Sequence, residues 1–446
     1  MNYLPLTEQD RQEMLQEIGV RNFDELIRVI PEKLRLKDLN LPSGTNELDL
    51  TRELRELASQ NQSTAQVLSF LGGGYYEHFI PSIVNHIISR SEFYTAYTPY
   101  QAEASQGTLQ TVFEYQSMIA ELTGMDISNA SNYDGASATA EAALLSLRHT
   151  GRNKILIAKT LHPEYRETIK TYCFGLHFEI KEIGCDPQGK LNREDLDREL
   201  KEDVASLIVG NPNFFGLVED YSGVAQKIHN VGALFIMSVN PLSLGLFKSP
   251  GEWGADIAVG EGQSLGIPMS LGGPGLGFFA VKRDLLRKIP GRLVGMTKDR
   301  NGRRCFALTL QAREQHIRRE KAGSNICTNH ALLALAACVY MAAMGKEGIR
   351  KVAEYNVRSS VYLREQIAKI KGFEIPFKGT IFNEFVVKCT KKSPEEINKK
   401  LFAQNIFGGI ELGRFYPELK DSLLICTTET KTKAELDRFI DAMRSL

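Results

Sequence analysis

The chain has 446 residues, of which 43% are hydrophobic and 24% are charged, and its 54 Lys and Arg are balanced by 54 Asp and Glu. This length is too great for one ordinary core, so two or three lobes are expected. Because nucleic acids and anionic membranes select for basic surfaces, the zero net charge argues against either as the main partner.

Residues 1–62 are predicted to form a helical N-terminal lobe. Capping-box spacings predict the starts of two helices, at Thr7 with Asp10 and at Asn22 with Glu25. Gly19 is expected to end the first helix and Pro31 the second. The stretch LPSGTNELDL (41–50) is typical of a linker or an ordered arm. No basic segment followed by an apolar run opens the chain, so no signal peptide is predicted and a cytoplasmic location is expected.

Residues 63–330 are predicted to form a large α/β domain. Two helices that end at glycines come first, in GTLQTVFEYQSMIAELTGM (107–125) and SATAEAALLSLRHTG (137–151). From about residue 153, short β-rich runs such as KILIAK and VASLIVGNPN alternate with helical segments. This alternation predicts a doubly wound, mostly parallel sheet with helices on both faces.

Residues 331–446 are predicted to form a small C-terminal α+β domain. A hairpin and a basic helix are expected to precede it, after Pro290, and two long helices are expected over 331–371. The most apolar stretch, 331–345, is too short to cross a bilayer, so it is expected to be a buried helix. Strands and capped helices complete the domain, in FEIPFKGTIFNEFVVKC, in SLLICTTET and after Ser393 and Thr432.

Seven cysteines are scattered along the chain, an odd number that includes no C-x-x-C pair. Neither a zinc site nor a redox dithiol is signalled by this pattern, and no metal site is predicted. We expect the cysteines to be reduced thiols of a cytoplasmic protein, mostly buried as small hydrophobic residues.

A glycine-rich loop, GEGQSLGIPMSLGGPGLGFF (260–279), lies between two predicted strands, and VGNPN (209–213) ends an earlier strand. Strand ends of this kind form the ligand-binding edge of open α/β sheets. The order of these elements resembles the large domain of pyridoxal-phosphate (PLP) enzymes of the aspartate-aminotransferase fold type I. In that fold the strand ends supply a ring contact, an aspartate for the pyridine nitrogen and the Schiff-base lysine.

Four long stretches make the resemblance more specific: residues 93–126, 132–144, 254–281 and 310–335. Together they look like the P-protein family of the glycine cleavage system, and over essentially the whole chain they are similar to the alpha chains of its split form. This resemblance implies an α2β2 assembly with a lysine-bearing beta chain that holds PLP covalently. It further implies glycine as substrate, loss of CO2, and transfer of the aminomethyl group to the lipoyl arm of the H-protein.

Two chemical groups of the catalytic chains are absent at the matching positions. The lysine position is Gln263, whose amide cannot form a Schiff base, and the aspartate position is Ser238, which cannot hold a pyridinium proton by charge. No catalytic residue is therefore predicted in this chain alone, and the isolated chain is expected to be inactive. His162 matches the ring-stacking histidine and is interpreted as a relic, while residues 132–141 match the start of the phosphate-cup helix.

The missing lysine has two interpretations, drift in a structural chain or a chain that completes the beta site in trans. The second is favoured, because dimers of this fold type build sites across the subunit boundary. Polar residues predicted to act in trans on substrate or pocket are Tyr94, Tyr97, Thr98, Tyr100, Gln101, Ser105 and His78. A second segment is expected to open a helix and to contact the partner's cofactor phosphate. Its predicted contact residues are Ser324, Asn325 and Thr328.

Other interpretations stay open at this stage. An independent PLP enzyme would need a displaced lysine such as Lys159 or Lys282, and a purely structural or regulatory scaffold would place no residue in an active site. A nucleotide-binding loop is disfavoured, because no G-x-x-x-x-G-K-[ST] motif is present. The basic stretch is either a solvated face or a docking patch for an acidic H-protein, and comprises Arg313, His316, Arg318, Arg319 and Lys321.

Overall fold

The computed structural model describes residues 5–36 and 38–446, which belong to two compact units, one ending at Ser63 and the other spanning Thr64–Leu446. The described residues of the first unit form three α-helices: α1 Glu8–Ile18, α2 Phe23–Leu26 and α3 Glu47–Ser59. The predicted first helix is confirmed, since Thr7 and Asp10 form a capping box and Gly19 ends α1 in the left-handed conformation.

Two details of the first unit differ from the prediction. The second helix ends at Leu26, before Pro31, and the stretch expected to be a linker becomes helical from Glu47 onward. The Asn46 side chain accepts a hydrogen bond from the backbone N–H of Asp49, which caps α3. The Pro and Gly just before Asn46 predicted a linker, whereas the N-cap and the leucines at helical spacing after it form a helix.

The second unit contains the remaining helices and all of the strands that the structure describes. The helices are α4 Ser82–Ile88, α5 Ser91–Tyr94, α6 Gln106–Thr123, α7 Gly135–Thr150, α8 Pro163–Cys173, α9 Arg193–Glu199, α10 Val224–Asn230, α11 Gln315–Arg318, α12 Ala331–Ile367, α13 Pro394–Phe402 and α14 Lys433–Arg444. The strands are β1 Leu68–Ser69, β2 Ile127–Ser128, β3 Lys154–Ala158, β4 Glu179–Ile183, β5 Val204–Gly210, β6 Leu234–Ser238, β7 Ile257–Glu261, β8 Gly277–Val281, β9 Val294–Lys298, β10 Arg304–Leu308, β11 Phe373–Glu374, β12 Glu384–Cys389, β13 Ile406–Phe407, β14 Ile410–Glu411 and β15 Ser422–Cys426.

A seven-stranded sheet with the order β2-β8-β7-β6-β5-β3-β4 forms the centre of this unit. Strands β3 to β7 are parallel, and β8 runs antiparallel to its neighbours. Successive residues of the fully buried β5 belong to different cores: Leu207 packs in one cluster and Ile208 in the other. Both faces are therefore covered, and the predicted doubly wound sheet is confirmed.

The region after the large sheet confirms one prediction and corrects two. The hairpin is present, as β9 paired antiparallel with β10. The predicted basic helix is wrong, because α11 is a single turn that ends where Arg319 takes a positive φ of 54°. The prediction that residues 323–331 open a helix is also wrong: α12 begins at Ala331, so Ser324, Asn325 and Thr328 do not lie in its first turn.

Helix α12 is bent at Gly345, whose φ of 58° and ψ of −175° are not helical, so the two predicted long helices are confirmed. By length and composition alone α12 could cross a membrane, with a mean hydropathy of 1.4 over its most apolar window. Residues of that window are 44% buried inside the chain, and core helices pass the same test. The expected packing of its first half is seen, with Ala334 and Leu335 among its buried residues.

The last lobe is a four-stranded antiparallel sheet with the order β11-β12-β15-β14, flanked by α13 and α14. The predicted capping boxes at Ser393 and Thr432 are both present. Phe70, which follows β1, stacks on Phe439 of α14 with ring centroids 3.9 Å apart. The chain just before the loop 71–81 is thereby anchored on this lobe. The predicted boundary at residue 330 within Thr64–Leu446 stays a prediction.

Candidate functional site

The carboxyl edge of the large sheet encloses a cavity of about 70 Å³. Its walls include the ends of β6 and β7, residues that follow β3 and β5, the loop 71–81 and the first residue of β12. The side chains that bear on function there are Tyr76, His162, Ser238, Glu261 and Glu384. A space of this size holds a few water molecules, whereas pockets for cofactors are several times larger.

Gln263, at the lysine position, is 1% exposed and fully hydrogen-bonded. Its Oε1 accepts a bond of 2.9 Å from the backbone N–H of Tyr76. Its Nε2 donates to the carbonyl oxygens of Tyr76 and Ile267, at 3.0 and 2.7 Å. The amide therefore joins the loop 71–81 to the glycine-rich loop, a role that uses both its acceptor and its two donors.

Glu261, at the end of β7, was not singled out in the sequence analysis, yet its carboxyl group contacts the start of α7. Its Oε2 accepts a hydrogen bond of 2.9 Å from the backbone N–H of Gly135, the first residue of α7. Its Oε1 accepts hydrogen bonds of 3.0 and 2.8 Å from the backbone N–H groups of Gln263 and Leu276. Burial raises the pKa of this carboxyl to about 7, while these three N–H bonds act to lower the pKa. The carboxyl group thus fills the helix N-terminus that matches the phosphate cup.

The other matching positions are also incompatible with a PLP ring. Ser238 ends β6 beside the cavity, and its hydroxyl carries no charge. The Nε2–H of His162 donates to the carbonyl of Gly73 at 2.7 Å, and Nδ1 accepts from the N–H of Glu164 at 3.2 Å. The imidazole stacks on Tyr165, at 4.7 Å between centroids, and burial lowers its pKa. His162 is therefore a neutral, internally satisfied side chain.

The loop 71–81 is further held by two carboxyl groups of the C-terminal lobe. Glu384 accepts from the N–H of Gly73 at 2.6 Å and from the hydroxyl of Tyr76 at 2.8 Å, and burial raises its pKa to about 7. Glu429 Oε2 lies 2.8 Å from Nδ1 of His78, whose side chain is 2% exposed. His78, which was predicted to act in trans, is thus enclosed by its own chain.

The chain's own residues at this edge of the sheet do not fit PLP. The lysine position is a locked amide, the aspartate position is a hydroxyl, and the anion position holds Glu261. The two displaced lysines considered above do not line the cavity. Lys159 pairs with Glu418 at 2.5 Å, and Lys282 pairs with Asp256 at 2.8 Å, beyond the opposite end of the parallel strands. No cofactor chemistry is assigned to this cavity.

Apart from His78, the residues predicted to act in trans on substrate or pocket lie in the segment from α5 to the start of α6. The side chains of Tyr94, Tyr97 and Tyr100 are 69%, 79% and 57% exposed. Gln101 is also exposed, whereas Thr98 and Ser105 are partly buried. Ser105 precedes α6 without a side-chain cap bond. Most of this segment therefore exposes polar and aromatic groups at the surface of the chain.

A buried arginine that the sequence analysis missed, Arg292, joins the two predicted in-trans segments. Its guanidinium lies over the ring of Tyr100, 5.7 Å from the centroid, and Nη2 donates 2.8 Å to the carbonyl of Cys327. Nη1 donates 3.2 Å to Asn329, which in turn donates to the carbonyl of Ala130. The segments around residues 94–105 and 324–330 thus share one face, which we call the Arg292 face.

The Arg292 face is connected to the glycine-rich loop behind it. The N–H of Cys327 donates to the hydroxyl of Tyr133 at 3.3 Å, and His330 Nδ1 lies 2.6 Å from the carbonyl oxygen of Gly275. Ser324 is satisfied locally, since its hydroxyl accepts from the N–H of Ile326 at 3.1 Å. The segment that contains Thr328 therefore contacts the loop through His330, while Ser324 and Asn325 lie earlier in the same segment.

The fold and the site define a class of protein: a chain with the PLP-dependent transferase fold, type I, whose own cofactor position is filled by side chains. The family model for the glycine cleavage system P-protein matches residues 1–443, so the chain belongs to that family. It is 52% identical over 438 residues to a probable glycine dehydrogenase (decarboxylating) subunit 1 of Desulforamulus reducens, covering 98% of each chain. A relative of the same description from Geobacillus sp. is 52% identical over 439 residues, covering 98% and 97%.

Solved structures agree with this assignment. A crystal structure of glycine decarboxylase (P-protein) of the glycine cleavage system, in inhibitor-bound form, has a TM-score of 0.88 and 42% identity, with all of both chains covered. Sphingosine-1-phosphate lyase of Burkholderia pseudomallei has a TM-score of 0.67 at 12% identity, with 92% of each chain covered, which shows the fold alone. The predicted family and fold are therefore confirmed.

Proposed function

We propose that this chain is the subunit of a glycine decarboxylase that carries no cofactor and completes the active site of a second, PLP-bearing chain. Its relatives are named subunit 1 of glycine dehydrogenase (decarboxylating), a name that implies a second subunit. The observation that carries the proposal is Glu261, because its carboxyl group occupies the helix N-terminus where a PLP phosphate would otherwise sit.

When bound in the partner, PLP would supply a ring that holds the electron pair left as glycine loses its carboxylate as CO2. The aminomethyl carbon would then form a bond to one sulfur of a lipoyl disulfide on a carrier protein, and the other sulfur would leave with the S–S electron pair and take up a proton to become a thiol. The two electrons of the broken bond between the α-carbon and the carboxylate are those that reduce the disulfide. The carrier is the H-protein predicted from the sequence.

This chain contributes through the Arg292 face. We propose that the exposed side chains of Tyr97 and Gln101 orient a small zwitterion, and that Thr328, in the same segment as His330, contacts a cofactor phosphate of the partner. Arg292 fixes both segments without reaching solvent, since it is 6% exposed. We keep the α2β2 stoichiometry and the cytoplasmic location as further parts of the proposal. The scaffold alternative differs in one respect, because it assigns no active-site residue to this face.

Cofactor binding gives the first test. The purified chain, its partner and the mixture are incubated with PLP, reduced with borohydride and examined for visible absorbance and for labelled lysines. Label in the partner and none in this chain is expected. Stoichiometric label on any lysine of this chain, Lys159 and Lys282 included, would overturn the proposal.

The second test asks whether the Arg292 face acts in the active site. Tyr97→Ala, Gln101→Ala and Thr328→Ala are assayed in the reconstituted complex by glycine–bicarbonate exchange. Each is expected to lower exchange by about 10-fold, the effect of losing one well-placed contact. Tyr355→Ala is the matched control, because Tyr355 is 57% exposed on α12, outside this face. Full exchange activity in all three variants would favour the scaffold.

A further inference from the structure

Six cationic side chains line a second cavity, of about 320 Å³, that has no part in the proposed reaction. It lies between the last turn of α7, the loop that follows β8, and the segment 313–326. We call it the basic cavity, and its cations are Arg148, Arg287, Lys288, Arg313, Arg318 and Lys321. The sequence had suggested only a basic stretch over residues 313–321. The fold adds three cations from elsewhere in the chain.

None of these six cations forms an ion pair within the part of the chain that the structure describes. Two buried cations elsewhere in this unit behave differently: Arg166 pairs with Glu182 at 2.8 Å, and Lys154 with Glu199 at 3.4 Å. Only one carboxyl group, that of Glu314, lines the basic cavity. Six cations thus share the cavity with one lining carboxyl group, so the lining carries an excess of positive charge.

Arg313 gives a second, independent observation. Its Nη1 donates to the carbonyl of Ile289, which fixes the guanidinium at the cavity wall. Its Nε and Nη2 are buried, and among residues 5–36 and 38–446 neither has a hydrogen-bond partner. A buried, charged donor without an acceptor is costly and usually signals a water or an ion. Two adjacent N–H groups of one guanidinium are the fork that holds two oxygens of one anion.

A further carboxyl group, outside the cavity lining, offsets only part of the positive charge. Glu141 of α7 hydrogen-bonds to Ser324, a cavity residue, and burial raises its pKa. Its Oε2 is buried without a partner among the described residues. Glu141 interacts electrostatically with Arg148 and offsets part of its charge, so an added anion would meet mainly the other cations of the cavity.

We propose that the basic cavity binds a small multivalent anion of the phosphate type, such as a phosphoanhydride or a phosphate ester. Such a ligand presents several oxygens to the Arg313 fork and to the surrounding cations at once. The cavity volume lies at the lower limit of small-molecule pockets, which suits a compact ligand better than a protein segment. The proposal rests on geometry and charge alone and does not depend on the proposed function.

The probes are inorganic pyrophosphate and inorganic phosphate, titrated into the full chain and into its complex with the partner at constant ionic strength. A saturable rise in melting temperature is expected for pyrophosphate, a smaller rise for phosphate, and none for equivalent chloride. Absence of a saturable effect of pyrophosphate on both forms would overturn the proposal.

Variants locate the effect. Arg313→Gln is expected to raise the half-saturating pyrophosphate concentration at least about 10-fold, because it removes the charged fork. If that variant does not fold, Arg318→Ala combined with Lys321→Ala tests the same site with two exposed side chains. Arg300→Ala with Arg303→Ala, in the turn of the β9–β10 hairpin, is the charge-matched control and should leave binding unchanged.

An acidic segment of the partner is the competing occupant. Unaltered pyrophosphate binding in both cavity variants, together with at least about 10-fold weaker association with the partner, would overturn the small-anion proposal in favour of that occupant. Failure of the reaction proposed above would be seen separately, because cofactor attachment is read by visible absorbance and lysine labelling rather than by pyrophosphate binding.

Discussion

The cavity at the sheet edge and the Arg292 face differ in how their polar groups are satisfied. At the sheet edge, Gln263 and Glu261 use their polar atoms on partners inside the chain. On the Arg292 face, side chains such as Tyr94 and Tyr97 are more than two-thirds exposed. This difference is what the proposed function requires, with a closed sheet edge that holds no cofactor and an exposed face that is free to meet a partner.

The largest effect is expected from returning a lysine to the closed site. Gln263→Lys would place an ammonium at a position that is 1% exposed and would remove the acceptor of the Tyr76 N–H. We expect a loss of about 3 to 5 kcal/mol in the free energy of unfolding, measured by denaturant titration.

Gln263→Met is the control for this change, since it removes the amide without adding charge and should cost about 1 to 3 kcal/mol. If the introduced lysine took up PLP and could be reduced onto it, the sheet edge would have to be an open site, and the comparison would fail.

A pH-dependent effect is expected from the second buried carboxyl group. The folded pKa of Glu384 is about 7, above the ordinary 4.5, so the folded chain binds more protons between these values and its stability falls as pH rises. In Glu384→Gln the fall in unfolding free energy between pH 5 and pH 8 should be about 2 to 3 kcal/mol smaller. Glu347→Gln, at an exposed position, should reproduce the wild-type slope; an equal slope in Glu384→Gln would contradict the burial argument.

A smaller loss is expected at the residue that supports the exposed face. Arg292→Lys keeps the charge but cannot reach the carbonyl of Cys327, Asn329 and Tyr100 together, and we expect a loss of about 1 to 3 kcal/mol in unfolding free energy. Exchange activity of the complex should fall with it, because both in-trans segments lose their common anchor. Arg303→Lys on the hairpin turn is the control. Unchanged stability in Arg292→Lys would show that the face does not depend on this link.

The smallest effect on stability is expected on the face itself. Tyr97→Ala removes a side chain that is 79% exposed, so the free energy of unfolding should change by less than about 0.5 kcal/mol. The same variant should still lower exchange activity in the complex. A large loss of stability would mean that Tyr97 belongs to the chain's own packing, which would remove the contrast between the two regions.

Periodicity and capping predicted much of the fold. The alternation of strands and helices, the glycines that end α6 and α7, and the boxes at Thr7, Ser393 and Thr432 depend on local contacts that a sequence displays directly. The errors arose where tertiary contacts decide. The short helix in the basic segment stops at Arg319. Arg313 donates instead to the carbonyl of Ile289, 24 residues away in sequence.

The site was only partly predictable for the same reason. Gln263 and Ser238 could be identified because a missing lysine and a missing aspartate are visible against a family pattern. Glu261 carried a weaker signal, an acid inside an otherwise apolar strand, and its meaning depends on Gly135, which lies 126 residues away in sequence. Arg292 likewise gains its role from Tyr100 and Cys327, which no spacing rule connects to it.

The position of Glu261 has a consequence for the history of the chain. Return to a self-sufficient enzyme would require the carboxyl group to leave the helix N-terminus, a lysine to replace Gln263 and an acid to replace Ser238. Glu261 accepts from the N–H of Gly135, so a lysine at position 263 alone would leave that N–H occupied and would not restore a free anion site at the start of α7.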